Sequence, residues 1–294
     1  PQGIPTEITN EGGRTGITVS GFKAKNVMPE LTRKAVDFIK QQKPGKPFFL
    51  YFPWAAPHTP VVPNDEFSGK SKAGIYGDFV VECDATVQRI IDALKEKGLY
   101  ENTIIILTSD NGSSPHGFPI EQEIEFEHNT SNGYKGRKSH SYEGGHRVPF
   151  IVSWPKRIKA GSNSDETICL TDLYATIADL QNNEMTIGEA HDSYSFLPVL
   201  KGEEYKKPIR EATIHHSMSG DFSIRKGDWK YIDADGHGGF AQIRETIPAD
   251  SIQLYNLSGD PTETTNIYSQ NPEVVTQLKL LMDKYKEQGY SRNK

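Results

Sequence analysis

The sequence lacks three features that mark special classes of protein: many cysteines, a long apolar run and an excess of positive charge. Its 294 residues include only two cysteines, Cys83 and Cys169, and neither stands in a metal-binding or redox motif. No apolar run is long enough to span a membrane. The formal net charge of −6 gives no reason to expect nucleic acid, which favours a basic face. The composition is that of an ordinary globular protein with one large domain, or one domain plus a smaller one.

One apolar stretch that ends in polar residues organises the chain. The run from Thr103 to Leu107 is followed by the segment Thr108-Ser109-Asp110-Asn111-Gly112. This run predicts a strand buried on both faces, and open α/β sheets bind ligands just beyond strand carboxyl ends. Asp110 and Asn111 offer hard oxygen atoms that suit Ca²⁺ or Mg²⁺. The alternative is a turn that only closes the strand, because Asp-Asn-Gly is also good turn chemistry.

Apolar periodicity predicts further elements around this strand. Helices are predicted over residues 29–43 and 77–97, the second with Val80, Cys83, Val87, Ile90, Ile91 and Leu94 on its inner face. A buried strand is predicted over 46–52, so that strand, helix and strand recur with a parallel crossover as the default geometry. A strand over 150–155 and a short helix over 171–180 follow.

The character of the sequence changes after residue 205. Residues 181–210 are polar and contain a charge run, so we predict a domain over 1–205 and a small subdomain over 206–294. Short runs at 212–215, 222–225, 229–232 and 253–257 are joined by polar turns and predict an antiparallel meander. Residues 272–287 predict a closing amphipathic helix.

Polar loops carry the remaining candidate residues. His58 lies between Pro57 and Pro60 and suits a donor or general acid, or else a loop histidine that caps a backbone carbonyl. Residues 112–141, which include His116, show no periodicity, and loops of this length are often functional. Lys138 and Arg147 could bind an anion. Their alternative is a solvated basic turn, in which Arg147 pairs with Glu143.

Four stretches together resemble the formylglycine-dependent sulfatases of the alkaline phosphatase superfamily, over nearly the whole chain. The stretches are residues 53–60 with Ala56-Pro57-His58, residues 108–112, Lys138 with 142–149 (YEGGHRVP), and Leu254-Tyr255-Asn256-Leu257 with Asp260-Pro261 and Glu263. The resemblance implies an α/β fold, a sheet flanked by helices with its N-terminal part missing, plus a small C-terminal antiparallel sheet with a terminal helix. It also implies a periplasmic or secreted protein, although residues 1–5 show no signal-peptide pattern.

The resemblance assigns roles to residues of this chain. It implies that Asp110 and Asn111 bind Ca²⁺, with Mg²⁺ as the alternative cation, and that His58 and Lys138 contact the sulfate. We expect His116 and His215, with His216 beside it, on the substrate side; the alternative is that these are surface histidines on turns. The implied activity is hydrolysis of a sulfate ester, with a sulfated carbohydrate or an aryl compound as substrate.

The sequence departs from this family at the nucleophile. The family converts a Cys or Ser in a C/S-x-P/A-x-R motif to formylglycine, and neither Cys83 nor Cys169 stands in that motif; the segment from Ser113 to Gly117 has the proline but no arginine. The family also draws further metal and sulfate ligands from an N-terminal half. We therefore interpret the chain as the C-terminal portion of a sulfatase, partnered by the missing half or by a second copy, and expect no turnover by it alone.

Two alternative functions remain open at this point. One is a phosphate or phosphonate ester hydrolase of the same superfamily, which a Thr or Ser nucleophile would favour. The other is a non-catalytic fragment or binding module, which an exposed apolar patch would favour.

Overall fold

The computed structural model describes residues 5–11, 13, 15–186, 188–234, 239 and 252–292. Their helices and strands are, in chain order, β1 (Thr6–Thr9), β2 (Gly16–Val19), α1 (Val27–Gln41), α2 (Gly74–Glu96), β3 (Ile105–Thr108), α3 (Ile120–Glu125), α4 (Glu143–His146), β4 (Phe150–Ser153), α5 (Asp172–Leu180), α6 (Leu197–Lys201), β5 (Thr213–His216), β6 (Phe222–Lys226), β7 (Trp229–Ile232), β8 (Gln253–Asn256) and α7 (Pro272–Gln288). Across these described ranges, no helix combines the length and the apolar character that crossing a membrane requires.

The chain forms two compact units. The first comprises residues 1–103 and 114–130, and the second comprises residues 104–113 and 131–294. In the first unit β1 and β2 form an antiparallel hairpin, and α1 packs on α2, where the hydroxyl groups of Thr32 and Thr86 lie 3.3 Å apart. The division predicted between residues 205 and 206 stays a prediction.

Helix α2 covers the predicted face except at the first residue of that face, Val80. Leu94 is buried as expected, but Val80 is 42% exposed, whereas Asp78 and Glu82 are buried. Both carboxylates have partners: Asp78 accepts two backbone N–H groups at 2.8 Å, and Glu82 accepts the backbone N–H of Asn64 at 2.9 Å. The predicted stripe is otherwise half-buried or buried, and the two carboxylates buried in addition to it are satisfied by the loop before the helix.

The strand predicted over residues 46–52 was also wrong. The structure assigns no strand to this segment. Its side chains alternate like those of a strand, with Phe49 75% and Tyr51 77% exposed while Phe48 and Leu50 are half-buried. A strand needs a hydrogen-bonded neighbour, and the described part of the chain supplies none to these residues.

The central strand is shorter and less covered than predicted. β3 begins at Ile105, all four of its residues are half-buried, and it pairs with β4 in antiparallel register, Ile105 opposite Ser153. The predicted burial on both faces was therefore wrong, as was parallel pairing for this strand. Ile151 on β4 is 58% exposed.

The C-terminal elements match their prediction closely. Strands β5, β6, β7 and β8 form one antiparallel sheet in sequential order, and α7 packs on it. The core between them contains Ile224, Tyr231, Leu254 and Met282, each 0% exposed. Burial of such side chains stabilises a fold by about 1.5–3 kcal/mol each. The expected antiparallel sheet with a terminal helix is thus confirmed.

Candidate active site

The polar turn after β3 presents oxygen atoms at the strand end. Asp110 is exposed and Asn111 is half-buried. The Ser109 hydroxyl donates to the Asn111 carbonyl oxygen at 3.0 Å, and Asn111 Nδ2 donates to the Gly112 carbonyl oxygen at 3.0 Å. Because the amide nitrogen faces the backbone, Asn111 Oδ1 and the Asp110 carboxylate are the side-chain oxygen atoms that could meet a cation.

Helix α4 holds this turn through the backbone. The N–H of Gly112 donates to the carbonyl oxygen of Gly145 at 2.8 Å. A Cβ atom on residue 112 would lie 1.9 Å from the carbonyl oxygen of Gly144, so only glycine fits at this approach. The Asp110–Asn111 turn is therefore fixed to a helix whose own first turn contains two glycines.

The Lys138 loop joins the same backbone network. The N–H of Lys138 donates to the carbonyl oxygen of Ser113 at 3.0 Å, and the N–H of Gly144 donates to that of Lys135 at 2.8 Å. The Lys138 side chain is half-buried. The second unit thus brings the two oxygen donors and a lysine onto one set of linked loops.

A buried charge network lies on the other side of α4. Glu143 is 0% exposed and accepts Lys230 Nζ at 3.0 Å, Arg147 at 3.3 Å and Arg225 at 3.3 Å. Burial opposes ionisation of Glu143, but these three cations outweigh it and hold its pKa below the ordinary value. The alternative prediction that Arg147 pairs with Glu143 is confirmed.

Lys230 also contacts a second buried carboxylate. Its Nζ lies 2.8 Å from Glu263 Oε1, and Glu263 Oε2 accepts the backbone N–H of Glu143 at 2.6 Å. Burial raises the pKa of Glu263, and the charge of Lys230 only partly opposes it. Sequence reasoning missed Lys230, whose one available signal was a charged residue at an inward position of the apolar strand β7.

Two histidines stack beside this network. The rings of His146 and His215 have centroids 3.8 Å apart, and their Nε2 atoms lie 3.2 and 3.1 Å from the carbonyl oxygen of Ser141. Burial lowers the pKa of both imidazoles, and the nearby Lys230 ammonium adds to that effect. His215 is therefore neutral near pH 7 and directs Nε2–H at the backbone. Its role toward a substrate stays a prediction.

The other candidate histidines lie on exposed segments. In the first unit, His58 Nδ1 lies 2.8 Å from the Thr59 carbonyl oxygen. His116 is exposed, and its backbone N–H donates to Ser114 Oγ at 3.3 Å. In the second unit, exposed His216 has Nδ1 2.8 Å from the carbonyl oxygen of Ser217. Substrate roles for these three residues stay predictions.

The side-chain oxygen atoms at the turn are of the type that Ca²⁺ prefers, but they are too few to form a complete Ca²⁺ site. Asp110 and Asn111 supply hard oxygens, and Ca²⁺ takes about six to eight such ligands. Within the described residues, no three His, Cys, Asp or Glu side chains converge on a point where they could hold a metal ion. The residues present therefore fit as part of a larger ligand set.

Two family models match the chain in overlapping ranges. The model for sulfatases matches residues 9–182, and the model for the C-terminal part of N-sulphoglucosamine sulphohydrolase matches residues 134–288. The first range contains the turn, the Lys138 loop and α4. The second range contains α4 together with the C-terminal sheet.

Individual relatives extend this similarity over the full chain. The N-acetylgalactosamine-6-O-sulfatase of Bacteroides thetaiotaomicron is 34% identical over 291 residues, which are 97% of this chain and 55% of the relative. A solved structure from work on the metabolism of multiple glycosaminoglycans by the same bacterium superposes with a TM-score of 0.80 at 32% identity, covering 93% of this chain and 57% of that one. The crystal structure of Ps i-CgsB in complex with k-i-k-neocarrahexaose gives a TM-score of 0.69 at 25% identity, covering 92% and 57%.

The chain spans about half the length of the curated relatives it matches. The expected fold is confirmed: an alkaline-phosphatase-like α/β arrangement with a small C-terminal antiparallel sheet and a terminal helix. The polar turn after β3, the Lys138 loop and the Glu143 helix all lie within the matched ranges. On these grounds, the chain belongs to the sulfatase family.

Proposed function

We propose that the protein to which this chain belongs hydrolyses a sulfate ester, and that the chain supplies part of the active site. The observation that carries the proposal is the linked set of loops in the second unit. There the Asp110–Asn111 turn and Lys138 are joined by the Gly112–Gly145 and Lys138–Ser113 hydrogen bonds, at 2.8 and 3.0 Å. An oxygen pair for a cation and a lysine for an anion suit the recognition of a charged ester.

Each proposed residue has a defined task. Asp110 and Asn111 would hold Ca²⁺, with Mg²⁺ as the alternative, and the cation when bound would offset negative charge on the ester oxygens. The Lys138 ammonium would bind a sulfate oxygen. His58 would act near the leaving oxygen as a hydrogen-bond donor or general acid.

The substrate is proposed to be a sulfated carbohydrate, with an aryl sulfate as the simple surrogate. The support comes from two relatives: the one named above is an N-acetylgalactosamine-6-O-sulfatase, and a structural relative is described in complex with k-i-k-neocarrahexaose. We place His116 and His215 on the substrate side as part of this proposal. A periplasmic or secreted location would bring such an enzyme to extracellular polysaccharide.

The nucleophile is proposed to come from outside this chain. The formylglycine of the family forms in a C/S-x-P/A-x-R motif, and neither Cys83 nor Cys169 stands in one. The segment Ser153-Trp154-Pro155-Lys156-Arg157 fits the pattern, but Ser153 pairs with Ile105 at the start of β3, the end of that strand remote from the Asp110–Asn111 turn. The chain alone is therefore proposed to be inactive, with its partner either the remaining half of a sulfatase or a second copy. Hydrolysis of a chromogenic aryl sulfate by the purified chain with Ca²⁺ tests this, and the expected rate is that of buffer alone. Turnover that disappears in Asp110→Ala would refute the inactivity and show that another residue here acts as the nucleophile.

The metal assignment has its own test. Ca²⁺ that binds the folded chain stabilises it by RT ln(1 + [Ca²⁺]/Kd), about 2.7 kcal/mol at 100 times Kd. We expect millimolar Ca²⁺, on the order of the weak extracellular sites, to raise the melting temperature of the wild-type chain and of Asp165→Ala, a control at an exposed acid. Asp110→Ala and Asn111→Ala should lose this response. An equal response in all four proteins would place the cation elsewhere.

A further inference from the structure

We propose that buried Lys230 is a positioning residue for the candidate site, acting through α4 on the Asp110–Asn111 turn and on the Lys138 loop. The proposal extends the site assignment made above and rests on it. It gives the C-terminal sheet a task beyond its own stability, namely to hold the loops that carry the cation and sulfate ligands.

Lys230 closes a ring of contacts around the first residue of α4. Its Nζ meets the Glu143 carboxylate at 3.0 Å and the Glu263 carboxylate at 2.8 Å, and Glu263 accepts the backbone N–H of Glu143 at 2.6 Å. All three residues are 0% exposed. Both the side chain and the backbone of Glu143 are therefore tied to one ammonium group, directly or through Glu263.

Helix α4 is hydrogen-bonded directly to the Asp110–Asn111 turn and to the Lys138 loop, so its position determines theirs. The helix has only four residues, so its first residue and the two glycines belong to a single turn. Gly145 accepts Gly112 N–H at 2.8 Å, and Gly144 donates to Lys135 at 2.8 Å. The backbones are closely packed here, because a Cβ on Gly144 would lie 2.2 Å from the carbonyl oxygen of Gly136. A displacement of Glu143 must move the turn and the loop with it.

The Lys230 side chain points away from the apolar core that the sheet forms with α7. Alternate residues of a strand face opposite sides of the sheet. Tyr231 faces the core against α7, whereas Lys230 faces α4. The apolar packing on α7 is complete without Lys230. Removing Lys230 alone leaves two buried carboxylates and is expected to lower the stability of the second unit. Positioning is therefore judged by the loss of protection at the site relative to the loss in the sheet and α7.

Amide hydrogen exchange of the 294-residue chain tests the proposal without turnover. In Lys230→Met we expect exchange at the amides of Gly112, Lys138 and Gly144 to speed up at least about tenfold more than exchange at the amides of β5, β6 and α7. The matched control is Lys226→Met, which removes a half-exposed pair with Glu211 at 2.9 Å. The control should leave the site amides unchanged.

Three results would overturn the proposal. Site amides within twofold of wild type in folded Lys230→Met would show that Lys230 does not position them, and a uniform rise over the second unit would show a structural role only. If Lys230→Met does not fold, amide exchange is measured at the same three site residues in Glu143→Gln, which removes one charge and keeps the shape of the side chain. Failure of both to fold would make the network a folding requirement. None of these readouts depends on Ca²⁺ or sulfate, so failure here leaves the proposed function standing, and the reverse also holds.

Discussion

Replacing Arg210 with methionine is expected to lower the free energy of unfolding of the second unit by about 3–5 kcal/mol. Arg210 is 6% exposed and forms an ion pair with Asp172, which is 0% exposed. Asp172 also accepts the backbone N–H of Cys169 at 2.7 Å and of Tyr194 at 2.9 Å. Without the guanidinium, a buried carboxylate keeps only these two neutral donors.

The loss should depend on pH in a defined direction. Burial raises the pKa of Asp172 in the wild-type chain, and Arg210 opposes that rise. In Arg210→Met the folded pKa rises further, while the unfolded value stays near ~3.9. The variant then loses stability as the pH rises from that unfolded value through the folded one. The difference from wild type should be larger at pH 8 than at pH 5.

Urea unfolding followed by circular dichroism measures this loss, and a double-mutant cycle isolates the pair. Asp172→Asn combined with Arg210→Met should be more stable than the sum of the single losses predicts, because no unpaired charge is left. Lys279→Met, which removes an exposed pair with Asp283 at 2.9 Å, is the control and should change stability by less than about 1 kcal/mol. A loss below about 1 kcal/mol for Arg210→Met, or strict additivity in the double variant, would refute the reasoning.

Two further predictions concern the site. Gly112→Ala should destabilise the second unit by about 1–3 kcal/mol, because its Cβ would collide with the carbonyl oxygen of Gly144, whereas Gly259→Ala has open space and should be neutral; thermal unfolding compares the two, and equal melting temperatures would count against the close approach. His146 and His215 should titrate below 6.5 in nitrogen-detected NMR spectra, so that acidification destabilises the fold through them. Titration at or above that value would contradict their burial.

Local sequence patterns predicted the C-terminal elements well because those elements supply one another's partners. The run at Trp229–Ile232 pairs with strands adjacent in sequence, and the helix after Pro272 covers them. The segment around Phe49 and Tyr51 has the same apolar character, yet it forms no assigned strand. Its apolar pattern is compatible with a strand, but a strand also needs a hydrogen-bonded neighbour. A local pattern does not show whether the rest of the chain provides one.

The candidate site was predictable in part. Motif residues such as Asp110, Asn111 and Lys138 stand in short stretches whose order resembles the family, and backbone hydrogen bonds link these stretches; their roles stay predictions. Lys230 could not be predicted, because its partner Glu143 lies 87 residues away in sequence. The burial of Asp78 and Glu82 on α2 could not be predicted for a similar reason, since their partners are backbone N–H groups of a preceding loop.

The charged residues around α4 also bear on how such a sequence can evolve. Glu143, Arg147, Arg225, Lys230 and Glu263 share contacts, and the loss of one strands a buried charge on another. A single substitution in this set is therefore expected to destabilise the protein. Simultaneous replacement of several members by apolar residues is expected to be tolerated. The network therefore restricts the order in which substitutions can accumulate more than it restricts which sequences can fold. Related sequences should keep all of its members or have replaced all of them.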